Sequence, residues 1–155
     1  MSTNGAPLAA PADCPLCHAL GGELVYRNKQ FRVIDAVDAD YPGFLRLVWN
    51  DHVREFSHLS REDRVLCMDA VVHLEQFVLR TFKADKANIA TLGNVVPHLH
   101  WHVIPRFNDD KHFPAPVWSV AKPGAALSPR QLAVKATQGQ WVPALRAELV
   151  QAFGG

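Results

Sequence analysis

Little in this chain speaks for an extracellular or membrane-bound protein. It holds only three cysteines, an odd number, and two of them sit in Cys14-Pro-Leu-Cys17, too close together to close a long structural loop. A secreted disulfide framework is therefore disfavoured. Nowhere do eighteen uncharged apolar residues follow one another, and the N-terminal segment lacks the basic start and apolar run of a signal peptide. No membrane association is expected, and a cytoplasmic protein with reduced thiols is the default reading. An excess of one charge is also missing, since 16 Lys and Arg face 15 Asp and Glu. Binding to nucleic acid or anionic lipid draws on surplus Lys and Arg, so neither polyanion is an expected partner.

What is present suits one compact domain: 155 residues, 48% of them hydrophobic. A chain of this size buries roughly 68–70% of its unfolded surface, so its core needs no staple and any metal is an addition. Residues 1–12 are small, Ala/Pro-rich and aperiodic, and are expected to be flexible. Residues 13–155 are expected to form a single domain with a C-terminal extension from about 108. Leu24-Val25-Tyr26 and Phe31 to Asp35 read as a β-hairpin, and Phe44 to Trp49 as a central strand after the Tyr41-Pro42-Gly43 turn. Ser60 followed by Asp63 opens a helix ending near Phe82, with Val65, Met68, Val72 and Leu66, Ala70, Leu74, Phe77 as its apolar stripe. Two further strands, Asn88 to Leu92 and Leu99 to Ile104, bracket a turn at Gly93-Asn94, and Pro105 is expected to end the second. A Pro-rich irregular stretch covers Asn108 to Pro129, and a last helix starts from about Pro143.

The eight histidines are the conspicuous feature, because three of them alternate in His98-Leu99-His100-Trp101-His102. Side chains two apart on a strand share a face, so these imidazoles project together while Leu99, Trp101 and Val103 enter the core. One metal cannot gather all three. At a rise of roughly 3.3 Å per residue the first and third Cα atoms lie about 13 Å apart, and a zinc–nitrogen bond is only about 2.0–2.1 Å long. At least one imidazole must do other work. Near neutral pH it is both a nucleophile and a proton carrier, and its neighbours can bind an oxyanion, which suits phosphorus chemistry.

The segment His98-Leu-His-Trp-His-Val-Ile104 resembles the signature of the histidine triad (HIT) family, His-φ-His-φ-His-φ-φ with φ apolar, at every position. The resemblance extends over most of residues 14–107. It implies an α+β fold with a five-stranded antiparallel sheet, a long helix packed on it and a C-terminal helix, usually as a homodimer. It also implies attack on the α-phosphate of a purine nucleotide through a covalent nucleotidyl-histidine, without an organic cofactor. By resemblance His100 is the nucleophile, His102 contacts the phosphate oxygens, and His98 supports the nucleophile or the leaving group. Asp35 matches the acid that accepts the ribose hydroxyls and Asn94 an amide that faces the phosphate. From the residues alone, the alternatives are a strand-end carboxylate for Asp35 and a turn former for Asn94.

Cys-x-x-Cys is a common half of a tetrahedral zinc site. Many HIT relatives complete it with the His after the central strand and the first triad His, which are His52 and His98 in this sequence. A structural zinc on Cys14, Cys17, His52 and His98 is therefore implied, with metal-free thiols as the alternative. A redox dithiol finds no thioredoxin-like βαβ pattern around it. His18, His58 and His73 read as structural or solvated, His112 could reach substrate from the loop, and Trp118 could cover the nucleotide, the dimer partner or the core. Cys67 reads as a buried small hydrophobe.

Two departures from the family pattern touch the nucleotide pocket. The central strand has Gly43-Phe44 in place of Gly-His, and the turn before the triad is short. The implied activity is hydrolysis of a nucleoside phosphoanhydride or phosphoramidate, with a dinucleoside polyphosphate favoured. A nucleotidyl transferase is disfavoured by the full third histidine. The reading from another class is a non-catalytic AMP-binding or scaffolding module.

Overall fold

The first hairpin is closed by Asn28, whose side-chain oxygen accepts hydrogen bonds from the amides of Gln30 and Phe31. It joins β1 (Glu23–Arg27) to β2 (Phe31–Asp35) in this computed structural model, which describes residues 9–155. The first eight residues of the expected flexible lead lie outside that range. Ahead of the hairpin runs a four-residue helix, α1 (Pro15–His18).

The link to β3 (Leu45–Trp49) turns at Gly43, whose φ of +79° and closeness to Phe82 leave no room for a side chain. After a 3₁₀ turn at Phe56–His58, Ser60 caps α2 (Arg61–Phe82) by accepting from the Asp63 amide. β4 (Lys86–Ala90) and β5 (His100–Arg106) complete an antiparallel sheet ordered β1-β2-β3-β5-β4. Two helices follow, α3 (Pro129–Ala136) and α4 (Gln138–Phe153). The α+β class expected from the sequence is the one observed.

One face of the sheet carries the main core. Phe31, Val33, Leu45, Leu47 and Val103 pack against Ala70, Leu74 and Phe77 of α2 and against Trp141, Leu145 and Leu149 of α4. Each fully buried Leu or Phe there contributes roughly 1.5–3 kcal/mol. On the other face Cys14 and Leu16 from the α1 segment cover Ile34 and Val48, while Tyr41, Phe44 and Ile104 form a third cluster. Between these two clusters the imidazole face stays partly open.

Several boundaries differ from the sequence reading. Pro105 lies inside β5 rather than ending it, opposite Ala87 of β4. The Arg106 carbonyl accepts from Asp85 on the β4 side, so the nitrogen of Pro105 points the other way, past the last β3–β5 pair at Leu45 and Val103, where no donor is needed. β4 ends at Ala90 rather than Leu92, and β5 starts at His100. The helix α3 was not expected; its capping box of Ser128 and Gln131 with Pro129 at the first position was the available signal. The last helix begins five residues ahead of Pro143, because the Thr137 carbonyl accepts from the Trp141 amide before the proline is reached. On α2, Val65 and Val72 lie outside the buried stripe and are exposed, while Cys67, Val71 and Val78 take the inner positions.

Candidate active site and metal centre

The three triad histidines divide into two environments. His98, just before β5, is buried, so the three imidazoles do not form one exposed face as expected; His100 and His102 alone line the partly open part. Trp101 and Val103 turn to the core as the alternation requires.

Around His98 four potential ligands converge. Its Nδ1 lies 3.4 Å from the Sγ atoms of both Cys14 and Cys17 and 3.3 Å from Nδ1 of His52, and Cys17 Sγ is 3.3 Å from that same nitrogen. All four ligand atoms fall within 4.8 Å of one another. A tetrahedral zinc, with bonds of about 2.0–2.1 Å to nitrogen and about 2.3 Å to sulfur, sets its ligand atoms about 3.3–3.8 Å apart, so the cluster already has the size of a Cys₂His₂ metal site. The tautomer agrees. Nε2 of His98 donates to the Trp49 carbonyl at 2.6 Å, which leaves Nδ1 with its lone pair toward the thiols. Burial pushes the Cys17 thiol up to about 11, helped by the adjacent Cys14, whereas a coordinating cation would deprotonate it.

The cysteines are held in place by Arg32. Its guanidinium donates to the carbonyls of Leu16, Ala19 and Leu20, fastening the α1 segment onto the sheet.

His100 is oriented by the neighbouring backbone. Its Nδ1 donates to the His98 carbonyl at 2.5 Å, so that nitrogen carries the proton and Nε2 keeps a free lone pair. Burial, opposed by that carbonyl and reinforced by the Arg46 charge, lowers the pKa of His100, which favours the neutral form. His102 follows 4.9 Å away, ring centre to ring centre, with Phe44 edge-on at 5.4 Å. Burial, then the charges of His100 and Arg46, hold it down to about 4. A neutral, oriented imidazole with an open nitrogen is a competent nucleophile toward an electrophilic phosphorus.

One expected partner is turned away from this face. Asp35 pairs with Leu45, which pairs with Val103, and residues opposite one another in a ladder share a face. Its carboxylate is therefore on the helix-covered side, accepting from the Val37 amide at 2.9 Å and from Gln138 of α4 at 2.7 Å. There it lines a cavity of about 280 Å³ together with Lys135, Gln138 and Trp141. Asn94 is exposed in the link between β4 and β5.

In the loop after β5, His112 is buried, its Nδ1 donating to the Tyr41 hydroxyl at 2.6 Å beside Asp110, so it belongs to an internal network rather than reaching toward substrate. Trp118 is 66% exposed, which removes the core option. His18 bonds the Pro11 carbonyl, His73 pairs with Glu148, and His58 is exposed. Cys67 is fully buried, as expected of a small hydrophobe.

A residue that the sequence reading passed over completes the face: Arg46, directly opposite His102 in the β3–β5 ladder. It sits inside the apolar run from Phe44 to Trp49 and belongs to no motif that would mark it.

The family model described as HIT domain matches residues 20–109, more than half of the chain. No protein of curated function matches it. Among solved structures, a histidine triad protein from Bradyrhizobium japonicum is 31% identical, with a TM-score of 0.64 over 80% of this chain and 87% of its own. Another from Sinorhizobium meliloti 1021 is 25% identical, with a TM-score of 0.65 over 83% and 90%. A Zn-bound histidine triad family protein from Mycobacterium smegmatis, 22% identical, shares the fold with a TM-score of 0.59 over 90% and 97%. With the family model spanning β1 through β5 and the 31% identical relative matching four-fifths of its length, the chain belongs to the histidine triad (HIT) family.

Proposed function

We propose that the protein is a nucleotide hydrolase that attacks the α-phosphate of a nucleoside phosphoanhydride or phosphoramidate through His100. The observation that carries this reading is the placement of that imidazole: its Nδ1 tied to the His98 carbonyl, its Nε2 free, His102 alongside, with burial favouring the neutral form. In the first step the Nε2 lone pair forms a P–N bond, and the bond from phosphorus to the leaving oxygen or nitrogen breaks with its electron pair on the leaving group. In the second step water attacks the same phosphorus, the P–N bond returns its electrons to His100, and a nucleoside monophosphate and a proton are released. His102 would bind the equatorial oxygens, whose charge is spread in such transition states. Asn94, exposed in the adjoining link, would lend its amide to the phosphate. Asp35 takes no part, since its carboxylate serves Val37 and Gln138 on the other face.

The fit of ligand distances and of the His98 tautomer supports a zinc on Cys14, Cys17, His52 and His98. Its bearing on the reaction is structural: a bound zinc would anchor His98, and the carbonyl of His98 is what orients the nucleophile. A homodimer is part of the same reading, because among the described residues β4 has an unpaired outer edge and Val65, Val72 and Leu79 leave apolar surface exposed on α2. Among the described residues no helix is long and apolar enough to cross a membrane.

The test compares wild type with His100→Ala on diadenosine tetraphosphate and an adenosine 5′-phosphoramidate, with an alkaline denaturing quench and mass spectrometry to trap nucleotidyl-histidine. Turnover and an adduct on His100 in the wild type, both lost in the variant, are expected. Nucleotide binding with neither turnover nor adduct would instead support a binding module.

A further inference from the structure

We propose that Arg46 is a substrate-binding residue of this site, and that its guanidinium takes up oxygens of a phosphate chain, making the substrate a nucleoside phosphoanhydride rather than a phosphoramidate. The inference rests on the hydrolase reading and narrows it.

The two buried arginines show what a structural arginine does in this fold. Arg32 donates to three backbone carbonyls, and Arg106 donates to Asp110, Asn88 and the Ala115 carbonyl. Arg46 does neither. It takes part in none of the five ion pairs among the described residues, and its Nε is buried without a hydrogen-bond partner. Opposite it, Nδ1 of His102 is buried and unpartnered as well. Directly opposed residues on neighbouring strands have Cβ atoms about 4.5–5.5 Å apart, so the two orphan nitrogens belong to one small area of the imidazole face. Unpaired buried donors are costly and are expected to find an acceptor. An oxygen-rich anion would accept from the Arg46 guanidinium, and from His102 Nδ1 in the tautomer that places the ring proton there.

The guanidinium is also held in readiness. It lies over the Phe44 ring at 5.2 Å, and that ring contacts His102 edge-on. The charge is felt locally, since Arg46 contributes to the lowered pKa of both His100 and His102. A fixed cation next to two imidazoles opposes their protonation and favours bound negative charge. The two candidate reactions differ in that respect. A phosphoanhydride leaves as a phosphate oxygen that keeps the electron pair of the broken P–O bond and needs no proton at neutral pH. A phosphoramidate leaves as an amine whose nitrogen must take up a proton. Arg46 assists the first departure by charge and cannot supply the proton required by the second.

The experiment measures two things for wild type, Arg46→Gln and Arg46→Lys, with thermal melts to confirm folding. The first is calorimetric affinity for ADP and for adenosine. Loss of a hydrogen-bonded charge contact of about 1.5–3 kcal/mol corresponds to a loss of about 10–150-fold, so Arg46→Gln is expected to weaken ADP by that factor and leave adenosine within about 3-fold. The second is kcat/KM for diadenosine tetraphosphate against adenosine 5′-phosphoramidate, where the loss in Arg46→Gln should fall at least about 10-fold more heavily on the polyphosphate. Arg46→Lys should recover part of both losses as a point charge. Equal losses for ADP and adenosine, unchanged ADP affinity, or equal losses on the two substrates overturn the proposal. If the wild type binds ADP but turns over neither substrate, the hydrolase reading and the substrate assignment fall together, while the ADP-to-adenosine comparison still decides the anion contact.

Discussion

Asp110 offers a quantitative test of how the loop beside the imidazole face is held. Its carboxylate is fully buried and accepts six hydrogen bonds: two from Arg106, one each from the amides of Phe107, His112 and Phe113, and one from the Tyr41 hydroxyl. Burial pushes the carboxyl up, but the Arg106 bonds and the amides outweigh it and hold Asp110 down to about 2. Relative to an unfolded value of 3.8, that is worth roughly 2 kcal/mol of folding stability at neutral pH. Because the folded pKa lies below the unfolded one, this contribution is complete above about pH 4 and is lost as pH falls through 2. Asp110→Asn removes the charge and strands the Arg106 guanidinium, itself 2% exposed, so the expected loss is about 3–5 kcal/mol. That is a large share of the roughly 5–15 kcal/mol that holds a domain together. Urea unfolding of both proteins from pH 7 to pH 3 reads the effect. The variant should be less stable at pH 7, and the gap should narrow by about 1 kcal/mol by pH 3. Hydrogen exchange at Phe107, His112 and Phe113 should speed up in the variant, marking the loop as the part released. A difference under about 0.5 kcal/mol at pH 7, or a gap that does not change with pH, would refute the reasoning.

The remaining predictions concern the metal cluster just ahead of β5 and the imidazole face on it. Cys17→Ser should reduce bound zinc from about one per chain to a small fraction by elemental analysis and lower the melting temperature, whereas metal-replete wild type without stoichiometric zinc would remove the metal assignment. His102, held down to about 4 by burial and the charges of His100 and Arg46, stays neutral in the folded protein over a range where the unfolded chain takes up a proton. Stability should therefore fall as pH drops from about 6.5 to 4, and His102→Gln should show a shallower fall in that window by denaturant titration; identical slopes would contradict it.

How much of this was legible depended on whether the signal was carried within one element or between two. The helix α2 was readable from Ser60 and its stripe, and the alternation in β5 was readable because a strand has only two faces. Cys14 and Cys17 showed half of a metal site, and the structure brings His52 and His98 to the same point. Asp35 shows where local reading stops. On sequence it closes a strand in the expected place, yet in a ladder a single residue of register decides which face a side chain takes, and β2 turns Asp35 to the helices while Ile34 shares a face with Arg46 and His102. Arg46 shows the converse. Nothing in Phe44-Leu-Arg-Leu-Val-Trp49 sets it apart from an outward position on a half-covered strand, and only the pairing of β3 with β5, two segments more than fifty residues apart, puts it opposite His102. The alternation of the imidazoles runs along one strand and can be read there. The opposition of Arg46 to His102 runs across strands, so it becomes visible only once the register is known.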